Sequence, residues 1–197
     1  KENIIVAEQA LIGSGSIEAA SKAGILDVCK KHNVSFIDIS KGPFEEVESD
    51  GYRFNIIKEA LNRKVINAPI MKTNFQLGIS GATENLSRIV DEKTQRKMYF
   101  DGIDNALPKL VKALSNVFTI ADATNGMQGQ GPLAAGDPAF LNLIYARRNP
   151  AALDTIFCEA TMTQIPDHAI FSGKNSDVKN IEIVGNELDA LKYPIKP

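Results

Sequence analysis

The chain has 197 residues, of which 44% are hydrophobic and 23% charged, with a formal net charge of -2. That balance fits an ordinary globular protein, sets aside the disordered class, and provides no overall basic field to attract nucleic acid. No apolar run approaches the ~20 residues needed to cross a bilayer, and two cysteines, Cys29 and Cys158, are too few for a disulfide scaffold or a four-thiolate iron–sulfur site.

In chain order, short β-branched runs alternate with helical periodicity. This pattern predicts an α/β fold: a mainly parallel or mixed sheet flanked by helices, as one layered domain over residues 1–197. The first strand is read at Ile4–Glu8, followed by a Gly/Ser loop. Ile17–His32 reads as one helix with a weak point at Gly24. Ser35–Ile39 is a second strand. Phe44–Val47 and Tyr52–Phe54 form a hairpin around Ser49-Asp50-Gly51, where Asp-Gly supplies the positive φ values of a tight turn. Ile56–Asn62 is a short helix, and Lys64–Ala68 a buried strand stopped by Pro69. After a polar loop, a helix runs through Asn85–Ile89 and another spans Asp104–Leu114, with Leu107, Leu110, Val111 and Leu114 on one stripe. Val117–Ala121 is the clearest central strand and Leu141–Ala146 the next. Asn149 then caps a helix with Pro150 at its first position. Asn180–Val184 is read as a last strand and Lys192–Pro197 as a loosely held tail. Both cysteines fall in helices, as buried inert thiols.

Polar residues without an obvious structural role gather in two loops, Ala68–Asn85 and Asp122–Pro138. Each leaves the carboxyl end of a predicted parallel strand, where open α/β sheets bind ligands. The first offers Lys72, Thr73, Asn74 and Asn85 as donors to a carboxylate or phosphate; turn and cap roles are the ordinary alternative. The second carries glycines at 126, 129 and 131, whose amides could form an anion-binding nest, with Gly129 and Gly131 the favoured contributors. It is neither a Walker loop nor a dinucleotide fingerprint, because no Gly-Lys-Ser/Thr follows and the glycine order is wrong. Asp122 ends an apolar strand, where a carboxylate must be solvated, paired or coordinating something. Asp154 falls in the first turns of a helix, where it either complements the helix dipole or points into the same crevice. With Lys72, Asp122 and Asp154 could make a hard-cation or carboxylate-binding site. His32 reads as a helix-end residue and His168 as a turn residue, with no zinc-ligand spacing between them.

These segments resemble a family catalogued as domain of unknown function 362. Its members carry a stretch like Asn-Val-Pro-Lys-Leu-Lys-Thr-His, then Gly-Val-Thr-Gly-Ala-Leu-Lys-Asn, then Asp-Gly…Gly-x-Gly-Pro and an Asp-Pro-Val-Ala-Val-Asp helix start. The corresponding stretches here run from Asn67 to Asn74, from Gly78 to Asn85, from Asp122 to Gly129-Gln130-Gly131-Pro132, and from Asn149 to Asp154. The likeness extends to Ile181–Gly185 and lacks the family's first strand and helix. Together with an opening at Lys1 rather than Met, that implies a fragment or processed chain. Ile70 stands where the family has Lys, Asn74 where it has His, Glu84 where it has Lys, and a further family His is replaced around Phe100. Some relatives carry ferredoxin-like cysteine clusters; this chain holds no such cluster.

The functional expectation is therefore a small-anion or divalent-cation-dependent ligand site at the carboxyl edge of the sheet, with enzymatic activity left open. The alternative is a non-catalytic accessory module docking on a redox or iron–sulfur partner protein, and a dimerising structural role is a third reading. No nucleic-acid or membrane partner is expected, and a reducing, cytoplasmic setting suits the two thiols.

Overall fold

The computed structural model describes residues 3–11, 13–132, 135–173 and 177–197. Strand β1 (Ile5–Glu8) lies parallel to β2 (Ser35–Asp38). The connection is two helices rather than one, α1 (Ser16–Lys22) and α2 (Ile25–His32). Gly24 separates them at φ 74°, a left-handed value that costs glycine nothing and ends the first helix. The hairpin β3 (Phe44–Ser49) and β4 (Tyr52–Ile57) turns on Asp50 and Gly51, both at positive φ, as predicted. Ile56 and Ile57 belong to that hairpin, so helix α3 is only Lys58–Asn62.

The main sheet is organised by one long strand. Its members are β5 (Val65–Asn67), β6 (Ile70–Asn74), β7 (Gly78–Ser80), β8 (Val117–Gln130), β9 (Ala135–Ala139) and β10 (Leu143–Arg147). β8 pairs in parallel with β5 and then β6 along one edge, and antiparallel with β10 and then β9 along the other. β7 folds back on β6. The first expected loop is thus two strands and a short helix, and the second is largely strand, apart from residues 133 and 134, which lie outside the described residues. The misleading feature is glycine. A Cβ on Gly126 would stand 2.6 Å from the Met71 carbonyl oxygen, and one on Gly131 would collide with that of Thr73. The glycines let the β6 backbone approach closely, rather than turning amides toward a ligand.

Helix α4 (Ala82–Asn85) continues into a 3-10 turn, Leu86–Ile89. Helix α5 (Glu92–Phe100), too polar to show a periodic stripe, is capped by Asp91, whose carboxylate accepts from Thr94 N at 2.7 Å. Then come α6 (Ile103–Ala113), α7 (Pro150–Thr161) and the single-turn α8 (Asp167–Ile170). The cap at α7 is as expected: Ala152 N donates to Asn149 Oδ1 at 2.9 Å. One core joins the hairpin to α5 and α6 through Phe54, Ile56, Met98, Leu107 and Leu110. A second lies between the sheet and helices α4 and α7, built from Met71, Ile79, Ala82, Ala121, Leu153 and Phe157. Both cysteines are buried and free, and burial pushes the Cys158 thiol up to about 12, consistent with an inert thiol.

Two C-terminal expectations are corrected. Residues 180–184 form no strand: Ile181 packs on Ala152 and Ile156 of α7, while Ile183 and Val184 stay exposed, so helix packing and not ladder pairing seats the segment. The tail is tied down. Tyr193 N and Ile195 N donate to the Ala160 and Thr161 carbonyls at the end of α7, and Gly129 N of β8 donates to Lys196 O at 3.0 Å. Among the described residues, no helix is long and apolar enough to cross a membrane.

Candidate functional site at the carboxyl edge of the sheet

Most of the polar groups expected to hold a ligand are engaged by the fold. Thr73 Oγ1 donates to Gly129 O at 2.7 Å, stitching β6 to β8. Asn74 Oδ1 accepts from Gln76 N at 2.8 Å and Leu77 N at 3.1 Å, and its Nδ2 donates to Ser80 Oγ, so this side chain shapes the β6–β7 turn. Asn85 Nδ2 donates to Asn67 Oδ1 at 2.7 Å, and Asn67 in turn donates to the Ala82 carbonyl, locking α4 to the end of β5. The Gly129 amide is taken by Lys196 O and the Gly131 amide by Gly129 O.

Lys72 and Asp122 share the other face of the sheet. Their neighbours Met71, Ala121 and Ala123 point into the core beneath it, so alternation turns both charged side chains away. Lys72 makes no ion pair among the described residues. Asp122 Oδ1 accepts from Thr124 N and Thr124 Oγ1, and these bonds hold its carboxyl below the usual range. Asp154 is on the opposite side, fully buried in α7. The structure therefore does not bring the two aspartates together, and among the described residues no group of three or more His, Cys, Asp or Glu is placed to hold a metal ion.

Asp154 serves a helix, though not its own. Ala82 N donates to its Oδ1 at 2.6 Å and Thr83 N to its Oδ2 at 2.9 Å, so the carboxylate satisfies the first free amides of α4 from 71 and 72 residues away. A side chain at Gly81 would occupy the place of Asp154 Oδ1. Behind this carboxylate stands His168, fully buried, with Nε2 at 3.8 Å from Asp154 Oδ2. That separation permits charge attraction but is too long for a hydrogen bond, and Nε2 has no hydrogen-bond partner among the described residues. On its other side the ring Nδ1 lies 3.1 Å from Asp104 Oδ1, which also accepts from His168 N at 3.3 Å. Burial works against a charge on the imidazole, but the two flanking carboxylates prevail and carry its pKa up to about 9. The imidazole, with its pKa raised, thus stands between the Asp104 and Asp154 side chains. The His168 bond holds the Asp104 carboxyl below its usual range.

His168 was read from sequence as a turn residue. Pro166-Asp167 is a helix-start signal that places it on a first helical turn, but nothing in the spacing couples it to Asp104 or Asp154.

The array opens on a cleft of about 200 Å³ lined by Gln76, Leu77, Gly78, Asp104 and the segment 164–167. The turn that walls it follows the carboxyl end of β6. Both bonds to Asp104 go to Oδ1, and among the described residues none reaches Oδ2. Asp167 supplies a second carboxylate and Gln76 and Gln164 two amides. A larger cleft, about 400 Å³, lies between α6 and the start of α7. Of the cations lining it, Lys112 is already paired with Asp50 at 2.6 Å. The smaller cleft is the better candidate on chemistry.

Fold and site thus define an α/β protein with a carboxylate-lined cleft at the carboxyl edge of its main sheet. The chain belongs to the family described as Domain of unknown function (DUF362), whose model matches residues 1–159. Asp104 and Asp154 lie within the matched span and His168 beyond it. Searches of the curated proteins and of the solved structures gave no match.

Proposed function

We propose that this protein binds a small cationic ligand, an amine, a guanidine or a divalent cation, in the cleft at the carboxyl edge of the sheet, with Asp104 as the receiving group. The observation that carries the reading is the pairing of a partly exposed carboxylate with a fully buried histidine ring that engages one of its oxygens. A carboxylate held on one oxygen is preorganised, so less ordering is left for the ligand to impose. Asp167, Gln76 and Gln164 complete an acceptor-rich rim.

Thermal-shift titration tests this with putrescine, methylguanidine, Mg²⁺ and Ca²⁺, set against acetate and phosphate. At least one cationic probe is expected to raise the Tm of the parent and to lose that effect in Asp104→Asn, with the anions inert. Stabilisation by phosphate or acetate alone, abolished by Lys72→Ala, would instead support a second reading: an anion site around Lys72, favoured by that ammonium group's lack of an ion pair. Absence of any shift in the parent would remove both.

A further inference from the structure

The six-stranded sheet has one sealed face and one bare face. Helices α4 and α7 cover the first. On the second, Ile66, Ile70, Phe118, Ile120 and Ile144 remain between 37% and 68% exposed. Register gathers them into one patch: Ile66 pairs with Phe118, Ile120 with Ala146, and Ile70 and Ile144 both pair with Asp122. Strands that run parallel in a sheet are ordinarily covered on both sides and carry apolar residues toward both, as β8 does with Val117, Phe118, Ile120 and Ala121. A contiguous apolar face of this size marks a surface that another surface covers.

We propose that the cover is a second copy of this chain, packed face to face about a two-fold axis, with Lys72 of each copy set against Asp122 of the other. Charge singles out this occupant. The patch carries one cation without an ion pair and one carboxylate bonded only to its own neighbour Thr124, at one end of the same face. A two-fold interface presents the same patch twice, so a cation and an anion side by side on one copy become two reciprocal pairs in the dimer. The five large side chains of the patch carry no charge. An ordinary stable interface covers roughly 800 Å² per partner, and sheets stacked this way settle about 10 Å apart.

Sedimentation velocity and equilibrium on the full chain test the proposal, with circular dichroism and a thermal melt confirming that each variant is folded. The exposure of the mutated positions makes folding of the variants the expected result. The parent is expected to sediment as a dimer at micromolar concentration, and Ile120→Glu with Ile144→Glu as a folded monomer. Lys72→Asp or Asp122→Lys alone should weaken dimerisation about tenfold, and the two together should restore it. A parent that stays monomeric at high micromolar concentration overturns the proposal, as does a dimer that survives the double glutamate variant. So does a monomeric parent that captures a different protein on this face, since the occupant is then not a second copy.

Discussion

Replacing His168 by leucine is expected to cost about 3–5 kcal/mol in urea denaturation at neutral pH, because it strips Asp154 of the one cationic partner its buried carboxylate has among the described residues. The same change removes a bond that joins α8 to the first turn of α6. His168→Gln keeps a donor of similar reach toward Asp104 but no charge, and should cost less. The pH dependence has a definite sign. The folded imidazole titrates near 9, above the ~6.5 of an unfolded histidine. Its stabilisation is therefore complete below ~6.5 and is lost as the pH rises toward 9. The urea midpoint of the parent should fall across that interval, and that of His168→Leu should be flatter. A parent curve no steeper than that of the variant would show that the imidazole is uncharged in the folded protein.

Gly81→Ala is the second large effect, expected to destabilise by about 3 kcal/mol. The φ of -137° at this position suits any residue, so the cost is not backbone strain. It is collision: the new methyl group would take the place of Asp154 Oδ1 and lie 2.9 Å from Met71 Cε. The carboxylate cannot swing aside without releasing the Ala82 and Thr83 amides, and a buried donor left unsatisfied costs about 1–3 kcal/mol. Gly15→Ala is the control. Its added methyl meets only Glu18 Cβ at 3.8 Å, ordinary contact, so the change should stay below about 1 kcal/mol. Equal losses for the two variants, measured by the same denaturation, would show that the crowding at Gly81 is relieved by small shifts.

What the sequence conveyed depended on whether the deciding interaction was local. The Asn149–Pro150 cap, the Asp50–Gly51 turn and the break at Gly24 are set by neighbouring residues, and each was visible. The α/β class followed from alternating periodicities. The extent of β8 was hidden, because Gly126, Gly129 and Gly131 signal a loop unless one knows that the β6 backbone passes beside two of them. Helix α5 was missed because its sequence is polar almost throughout; Asp91 followed by Glu92 was the available cue. At the candidate site, residue type alone does not separate groups free to meet a ligand from groups bonded within the fold. Lys72, Thr73, Asn74 and Asn85 looked available, yet three of the four bond within the fold. The array of Asp104, Asp154 and His168 forms only when α6, α7 and α8 meet, a juxtaposition that no spacing rule encodes.

The length of β8 has a consequence for how the molecule opens. One strand of 14 residues is the common hydrogen-bonding partner of β5, β6, β9 and β10. No one of those four can peel away without baring part of the same backbone, and lifting β8 itself forfeits all four of those ladders at once. Its amides belong to the slowest-exchanging set, released only when the whole sheet comes apart as a cooperative unit.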